Sequence, residues 1–195
     1  MTSVARIEWT PKLVREIPNG QYSKIREERV GVMLHYTGGA SDEGDLSWFG
    51  HPDCRVSYHY LVLDNGDYAT VAPEGKRAWH AGYCRTSDPQ RLPYRDANSA
   101  FIGISAATSG SVDVTPEQML TIAWLTRGVF KRFGWPVEEV WRIVTHSSEA
   151  VFGPGHPKEG QRGRKTDPEG GDPKNPILSV RDIRSLLPLV DVEAA

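Results

Sequence analysis

The sequence predicts an α/β domain, a central mixed β-sheet flanked by helices, and three observations carry that prediction. Apolar runs rich in β-forming residues recur at 29–36, 56–63, 101–107 and 140–146. One segment, 115–134, instead repeats its apolar residues at helical spacing. The turn Asp64-Asn65-Gly66-Asp67 joins two neighbouring strand candidates as a hairpin, because Asn-Gly tolerates positive φ. Strands mixed with helices and at least one hairpin imply a mixed sheet with helices packed on it.

The elements follow in order. Residues 1–28 are mixed and charged and are expected to wrap the domain as an irregular arm. Residues 29–36 read as a buried strand, followed by the loop Thr37-Gly38-Gly39-Ala40-Ser41. Residues 42–50 suit a short helix, capped by Ser41 or Asp42 and stopped by Gly50. Residues 56–63 alternate, and 68–71 form the returning strand. Thr115-Pro116-Glu117-Gln118 combines a cap, a first-turn proline and a capping-box glutamine. Met119, Ile122, Ala123, Val129, Phe130 and Phe133 then mark a core-facing stripe that Gly134 ends. Residues 147–176 read as loop, too long from 153 onward for a passive connection. Residues 177–187 read as a closing helix with Val180, Ile183, Leu186 and Leu187 inward. The expected organisation is an arm at 1–28, a catalytic domain at 29–188 and a tail at 189–195, with no internal repeat.

Composition narrows the function classes. A length of 195 residues fits one domain on the prior of ~100–200 residues each. A net charge of -2 argues against a nucleic-acid or anionic-membrane partner. No apolar stretch approaches the ~20 residues of a spanning helix, so no membrane insertion is expected. Met1-Thr2-Ser3-Val4-Ala5-Arg6 lacks the apolar core of a signal peptide. Synthesis in the cytoplasm is expected, with delivery by some other route if the target lies outside. Cys54 and Cys84 do not make a disulfide framework; two buried thiols are the plainer reading and one bridge the alternative.

The chemistry concentrates at His35, His146 and Asp167. Each histidine closes an apolar run, in Val32-Met33-Leu34-His35 and in Ile143-Val144-Thr145-His146, and Asp167 follows Lys165-Thr166 in the long loop. A lone histidine at a strand end is most often structural. Two imidazoles with one carboxylate are instead a ligand set for catalytic zinc, which keeps its fourth position for water. Zinc lowers the pKa of such a water from ~15.7 toward ~7. Neither cysteine has the paired spacing of a structural zinc ribbon.

Leu34-His35-Tyr36-Thr37, Val56-Ser57-Tyr58-His59-Tyr60, Ala78-Trp79-His80-Ala81-Gly82, Asn98 ahead of Ile102-Gly103-Ile104, Thr145-His146-Ser147 and Lys165-Thr166-Asp167-Pro168 occur in a telling order. In them the chain resembles the zinc-dependent N-acetylmuramoyl-L-alanine amidases of the type 2 amidase and peptidoglycan-recognition superfamily, which includes phage endolysins. The resemblance runs over about residues 29–188. It implies a zinc site in a groove at the sheet edge, with His35, His146 and Asp167 as ligands. It implies that Lys165 stabilises the oxyanion and that Tyr58 orients the attacking water or assists proton transfer. Otherwise Tyr58 is a cross-strand aromatic and Lys165 a solvated loop charge. His80 and Asn98 are implied contacts to the muropeptide; the plain alternative for Asn98 is a turn. Trp79 lines the groove or joins the core. His59, adjacent to Tyr58, is expected to be a packed core histidine.

One departure matters. The cytosolic recycling enzymes of the family carry a catalytic glutamate after Ile-Gly-Ile, and here that place is Ser105. A lytic, bacteriolytic enzyme of endolysin type is therefore expected. It would act as a monomer on cell-wall peptidoglycan after release, cutting between N-acetylmuramic acid and L-alanine. Two alternatives remain: a non-catalytic peptidoglycan-recognition module, and a cytosolic amidase recycling anhydromuropeptides. A zinc peptidase of the His-Glu-x-x-His type is disfavoured because that helix signature is absent.

Overall fold

The ladder at the centre of the molecule explains most of the fold. In a computed structural model that describes residues 6–17, 21–109, 112–168 and 178–192, the elements begin with β1 (Leu13–Glu16), β2 (Tyr22–Lys24) and β3 (Gly31–Tyr36). They continue with α1 (Asp42–Gly50), β4 (Tyr60–Val62), β5 (Tyr68–Thr70), β6 (Lys76–Ala78), α2 (Ala97–Ala100) and β7 (Phe101–Ala106). Last come α3 (Pro116–Phe133), β8 (Ile143–Thr145), α4 (His146–Glu149) and α5 (Val180–Leu186). One six-stranded sheet has the order β1-β5-β4-β7-β3-β8, and β2 pairs with β6 in a separate two-stranded sheet. Within the large sheet β4–β5 is antiparallel and the other pairings are parallel. The expected mixed sheet with flanking helices is what forms.

Period-two alternation assigns the two faces. Val32, Leu34, Ile102, Ile104 and Ala106 pack under Ile122, Leu125, Val129 and Phe130 of α3 and Ile183 of α5. Met33, Phe101 and Val144 point to the opposite face, against Ala97, Ala100 and Leu92. Both faces are covered, which is why β3 and β7 read as unbroken apolar runs rather than alternating ones. His35 belongs to that second face and is fully buried.

The long helix starts as its sequence dictates. Thr115 and Gln118 complete the capping box, proline occupies the first turn, and Gly134 closes the helix at φ 68°. The stripe departs from expectation at Phe133, which is 38% exposed and stacks on Trp135 beyond the stop instead of entering the core.

Three other expectations are corrected. The charged segment before residue 29 is not irregular throughout: β1 adds the edge strand beside β5, and β2 pairs with β6. The strand expected over 56–63 narrows to β4. There His59 accepts the Gly103 N–H through its own Nδ1, taking the place of a backbone carbonyl in the ladder. The run at 140–146 divides into a 3-10 turn (Val140–Arg142), β8, and His146 opening α4. The described part of the long loop, to residue 168, carries short bridges Val151–Arg162 and Phe152–Glu159. Its remainder at 169–176, and Ile177, lie outside the described residues. The tail at 190–192 is tied down by a bridge from Ile7 to Val190. Among the described residues, no helix is long and apolar enough to cross a membrane.

Candidate metal centre and active-site groove

Two adjacent parallel strands bring the histidines together. His35 sits near the C-terminal end of β3, and His146 follows β8, the edge strand beside it. The Thr145 hydroxyl accepts from Ser148 N, which turns the chain sharply after β8 and aims the His146 ring inward. The loop carrying Asp167 is anchored by Ser147 N donating to the Asp167 carbonyl at 2.7 Å. Asp167 Oδ2 then lies 3.0 Å from His35 Nδ1 and 3.0 Å from His146 Nδ1. One ligand atom from each of the three falls within 4.8 Å of the others.

The surrounding hydrogen bonds fix which nitrogens are free. His146 Nε2 lies 2.8 Å from the Ala81 carbonyl, an acceptor only, so a neutral ring donates there and keeps its Nδ1 lone pair. His80 Nε2 faces the Phe101 carbonyl at 3.3 Å, which leaves His80 Nδ1 to accept from His35 Nε2 at 3.0 Å. His35 Nδ1 therefore also carries a lone pair. Burial pushes the His35 pKa down to about 4, against the opposing pull of Asp167, so the ring is neutral at pH 7. Burial alone would raise the Asp167 carboxyl; the two imidazoles outweigh it and hold the group well below the usual carboxylate range. Two imidazole lone pairs converging on one carboxylate oxygen are mutually repulsive without a cation among them. Ligand atoms ~2.0–2.1 Å from a tetrahedral zinc stand about 3.3 Å apart, near the spacing observed. The donor set fits zinc, and second-sphere partners on both imidazoles are the usual accompaniment of such a site.

The centre opens into a cavity of about 960 Å³ whose lining includes Trp48, Tyr58, Trp79, His146, Lys165 and Asp167. Tyr58 is 8% exposed, with its ring 5.0 Å from His35 and 5.4 Å from Phe49 between centroids. Burial, then the Asp167 charge, pushes its pKa far up, so it remains a phenol. Ser105 is the in-register neighbour of His35 on β7. Its buried hydroxyl lies by the Tyr58 phenol without a hydrogen bond of ordinary geometry. Lys165 is exposed at the rim.

His80 and Asn98 also reach the cavity wall, yet most of their polar atoms are engaged by the protein. Both ring nitrogens of His80 are used, and the ring lies so close over β7 that a Cβ on Gly103 would fall 2.8 Å from it. Asn98 Oδ1 accepts from His80 N at 2.9 Å and Ala81 N at 2.7 Å, which holds the carbonyl that His146 uses. His80 is thus a support of His35, and Asn98 retains only its amide nitrogen for a ligand. Trp79 lines the cavity. His59 is fully buried, as expected of a core histidine. Cys54 and Cys84 are both free.

The sequence reading passed over two groups. Arg164 donates to the carbonyls of Ala81, Tyr83 and Val151 and locks the walls together. Arg29 is buried and donates to the Ser99, Phe101 and Glu74 carbonyls, bracing α2 and β7 behind His80. A charged residue opening an apolar run was the available signal for Arg29.

The fold and site define a class: an α/β protein in which two histidines and an aspartate that could hold a metal ion meet beside a groove. The profile of the family described as N-acetylmuramoyl-L-alanine amidase matches residues 27–170, and the chain belongs to that family of enzymes. N-acetylmuramoyl-L-alanine amidase A of Achromobacter lyticus is 34% identical over 64 residues, 32% of this chain and 36% of that protein. The 1,6-anhydro-N-acetylmuramyl-L-alanine amidase AmpD of Citrobacter freundii is 28% identical over 98 residues, 50% of each chain. The chain therefore spans half or less of the length of these relatives. A selenomethionine derivative of AmpD shares the fold, with TM-score 0.67 at 23% identity over 92% of this chain and 96% of that one.

Proposed function

We propose that this chain is a zinc-dependent amidase of lytic type, cutting the amide between the lactyl group of N-acetylmuramic acid and L-alanine in cell-wall peptidoglycan. The observation that carries the reading is the tautomer network. Carbonyls of Ala81 and Phe101 commit the outer nitrogens, and two inner lone pairs converge with Asp167 at the cavity floor. The family match supplies the bond class.

Zinc held by His35, His146 and Asp167 would acidify water and polarise a carbonyl. The remaining work falls to the chain. His80 keeps the His35 ring in its donor tautomer. Tyr58, a neutral phenol at working pH, orients the water and passes a proton toward the departing amine. The Lys165 ammonium balances charge that develops on the lactyl carbonyl oxygen as the carbon becomes tetrahedral. The amine of L-alanine leaves protonated.

We infer the lytic setting from Ser105, which is no base at neutral pH, beside Tyr58. The catalytic unit is assigned to residues 29–188, working as a monomer on the wall after release from the cytoplasm. A second reading, recycling of soluble anhydromuropeptides, is favoured by the similarity to the Citrobacter 1,6-anhydro-N-acetylmuramyl-L-alanine amidase.

Mass spectrometry of digested peptidoglycan tests the bond. Released peptides with a free L-alanine amino group, beside intact glycan strands that keep the lactyl carboxylate, are expected; new reducing sugar ends would refute the reading. Faster turnover of intact sacculi than of soluble anhydromuropeptide is expected of the lytic enzyme, and the reverse order selects recycling.

A further inference from the structure

Trp48 is the most exposed large apolar residue on the cavity wall, at 50% of its surface, and nothing in the chemistry above uses it. It stands on α1 beside Phe49, whose ring is buried against Tyr58. The indole is therefore tied through one neighbour to the catalytic floor. Its orientation is set by His51, which stacks against it at 5.8 Å and 12°. The His51 ring is itself fixed by accepting from Asp53 N at 3.2 Å. An exposed tryptophan braced on one face and lining a groove is a platform.

Charge identifies what it can take. The helix that carries Trp48 has three acidic residues in its first turn, Asp42, Glu43 and Asp45, and no cation along its length. The cations that line the cavity, Arg55, Arg164 and Lys165, all come from loops. An anionic peptide is disfavoured on the α1 wall. An uncharged pyranose ring is favoured, because its axial C–H face stacks on an indole.

We propose that Trp48 forms a saccharide subsite, on which a pyranose of the glycan strand stacks while the scissile amide lies at the floor. The inference rests on the amidase reading and deepens it, because it makes the enzyme responsive to glycan length beyond the muramoyl residue.

The test uses the zinc-loaded full chain and a peptide-free probe, the tetramer of β-1,4-linked N-acetylglucosamine, titrated by calorimetry. Wild type should bind saturably. Trp48→Ala should bind about tenfold more weakly, the factor that ~1.4 kcal/mol represents. Trp48→Phe, which keeps a ring, should recover most of that loss. A kinetic arm compares kcat/KM on polymeric peptidoglycan with kcat/KM on N-acetylmuramoyl-dipeptide. The ratio should fall about tenfold in Trp48→Ala. Equal tetramer binding by wild type and Trp48→Ala, no binding by wild type, or an unchanged ratio would overturn the subsite. If wild type leaves the dipeptide substrate intact, the amidase reading fails, and the tetramer titration still decides the role of Trp48.

Discussion

Asp167 Oδ2 is the atom on which the site turns, since it lies 3.0 Å from Nδ1 of both His35 and His146. Asp167→Ala should abolish stoichiometric zinc binding and turbidity loss of purified walls together. Full activity with bound zinc in that variant would remove Asp167 from the site. The supports should behave differently. His80→Phe removes the acceptor for His35 Nε2 while keeping an aromatic ring, and zinc affinity measured by competition with a chelator should fall ~10–100-fold. Lys165→Ala should keep its zinc and lose ~10²–10³ in kcat; an unchanged kcat would return Lys165 to the status of a rim charge. At this scale the three side chains that meet here were legible because each sits in a short local pattern, a histidine closing an apolar run or an aspartate after Lys-Thr. The second roles of His80 and Asn98 were not. They depend on which backbone carbonyls fold over them, and Phe101 and Ala81 offer no side-chain signal for that.

The strands and helices act as a frame for those atoms. β3 and β7 run parallel in full register from Gly31 with Phe101 to Tyr36 with Ala106. That register sets His35 beside Ser105 and brings Gly103 beneath His80. Gly103→Ala would place a methyl 2.8 Å from the His80 ring. The expected cost is ~1–3 kcal/mol in a denaturant titration, with weakened zinc binding. A variant as stable as wild type would show that the ring has room to move. The helices α1 and α3 were readable to the residue because caps and stops are local. β1 and β2 were missed for the opposite reason. All four residues of Leu13–Glu16 are exposed and only three or four residues are used per strand, so no alternation marks them. Their pairing with β5 and β6 is a long-range event. His59 shortened β4 in a way no periodicity reports, by substituting its ring for a ladder carbonyl.

Over the whole molecule, buried neutral histidines couple stability to pH. Burial, then the Arg29 charge, pushes the His59 pKa down to about 3, and burial pushes His35 to about 4. In the unfolded chain both return to ~6.5. The unfolded state therefore takes up protons first as pH falls. Their contribution is complete above pH ~6.5 and is lost progressively as pH drops toward the folded values. Thermal melting of the zinc-free protein should show Tm flat above pH 7 and falling steadily from pH 6 to 4. A constant Tm across that interval would contradict the neutral buried state. Zinc should raise Tm by mass action and keep that effect until the pH nears the folded His35 value of about 4, where protons compete for its nitrogen. The class of fold was visible in the full sequence. A groove was expected only from the resemblance; the elements that wall it, α1, the segment around Trp79 and the 164–167 loop, meet only once the sheet has formed.

The central claim is that one zinc ion is held by Nδ1 of His35, Nδ1 of His146 and a carboxylate oxygen of Asp167. Anomalous diffraction at the zinc edge from crystals of the zinc-loaded protein addresses it directly. A single strong peak within ~2.0–2.2 Å of those three atoms is predicted. A peak bound through Nε2 of either histidine, a peak elsewhere, or none at all would contradict it.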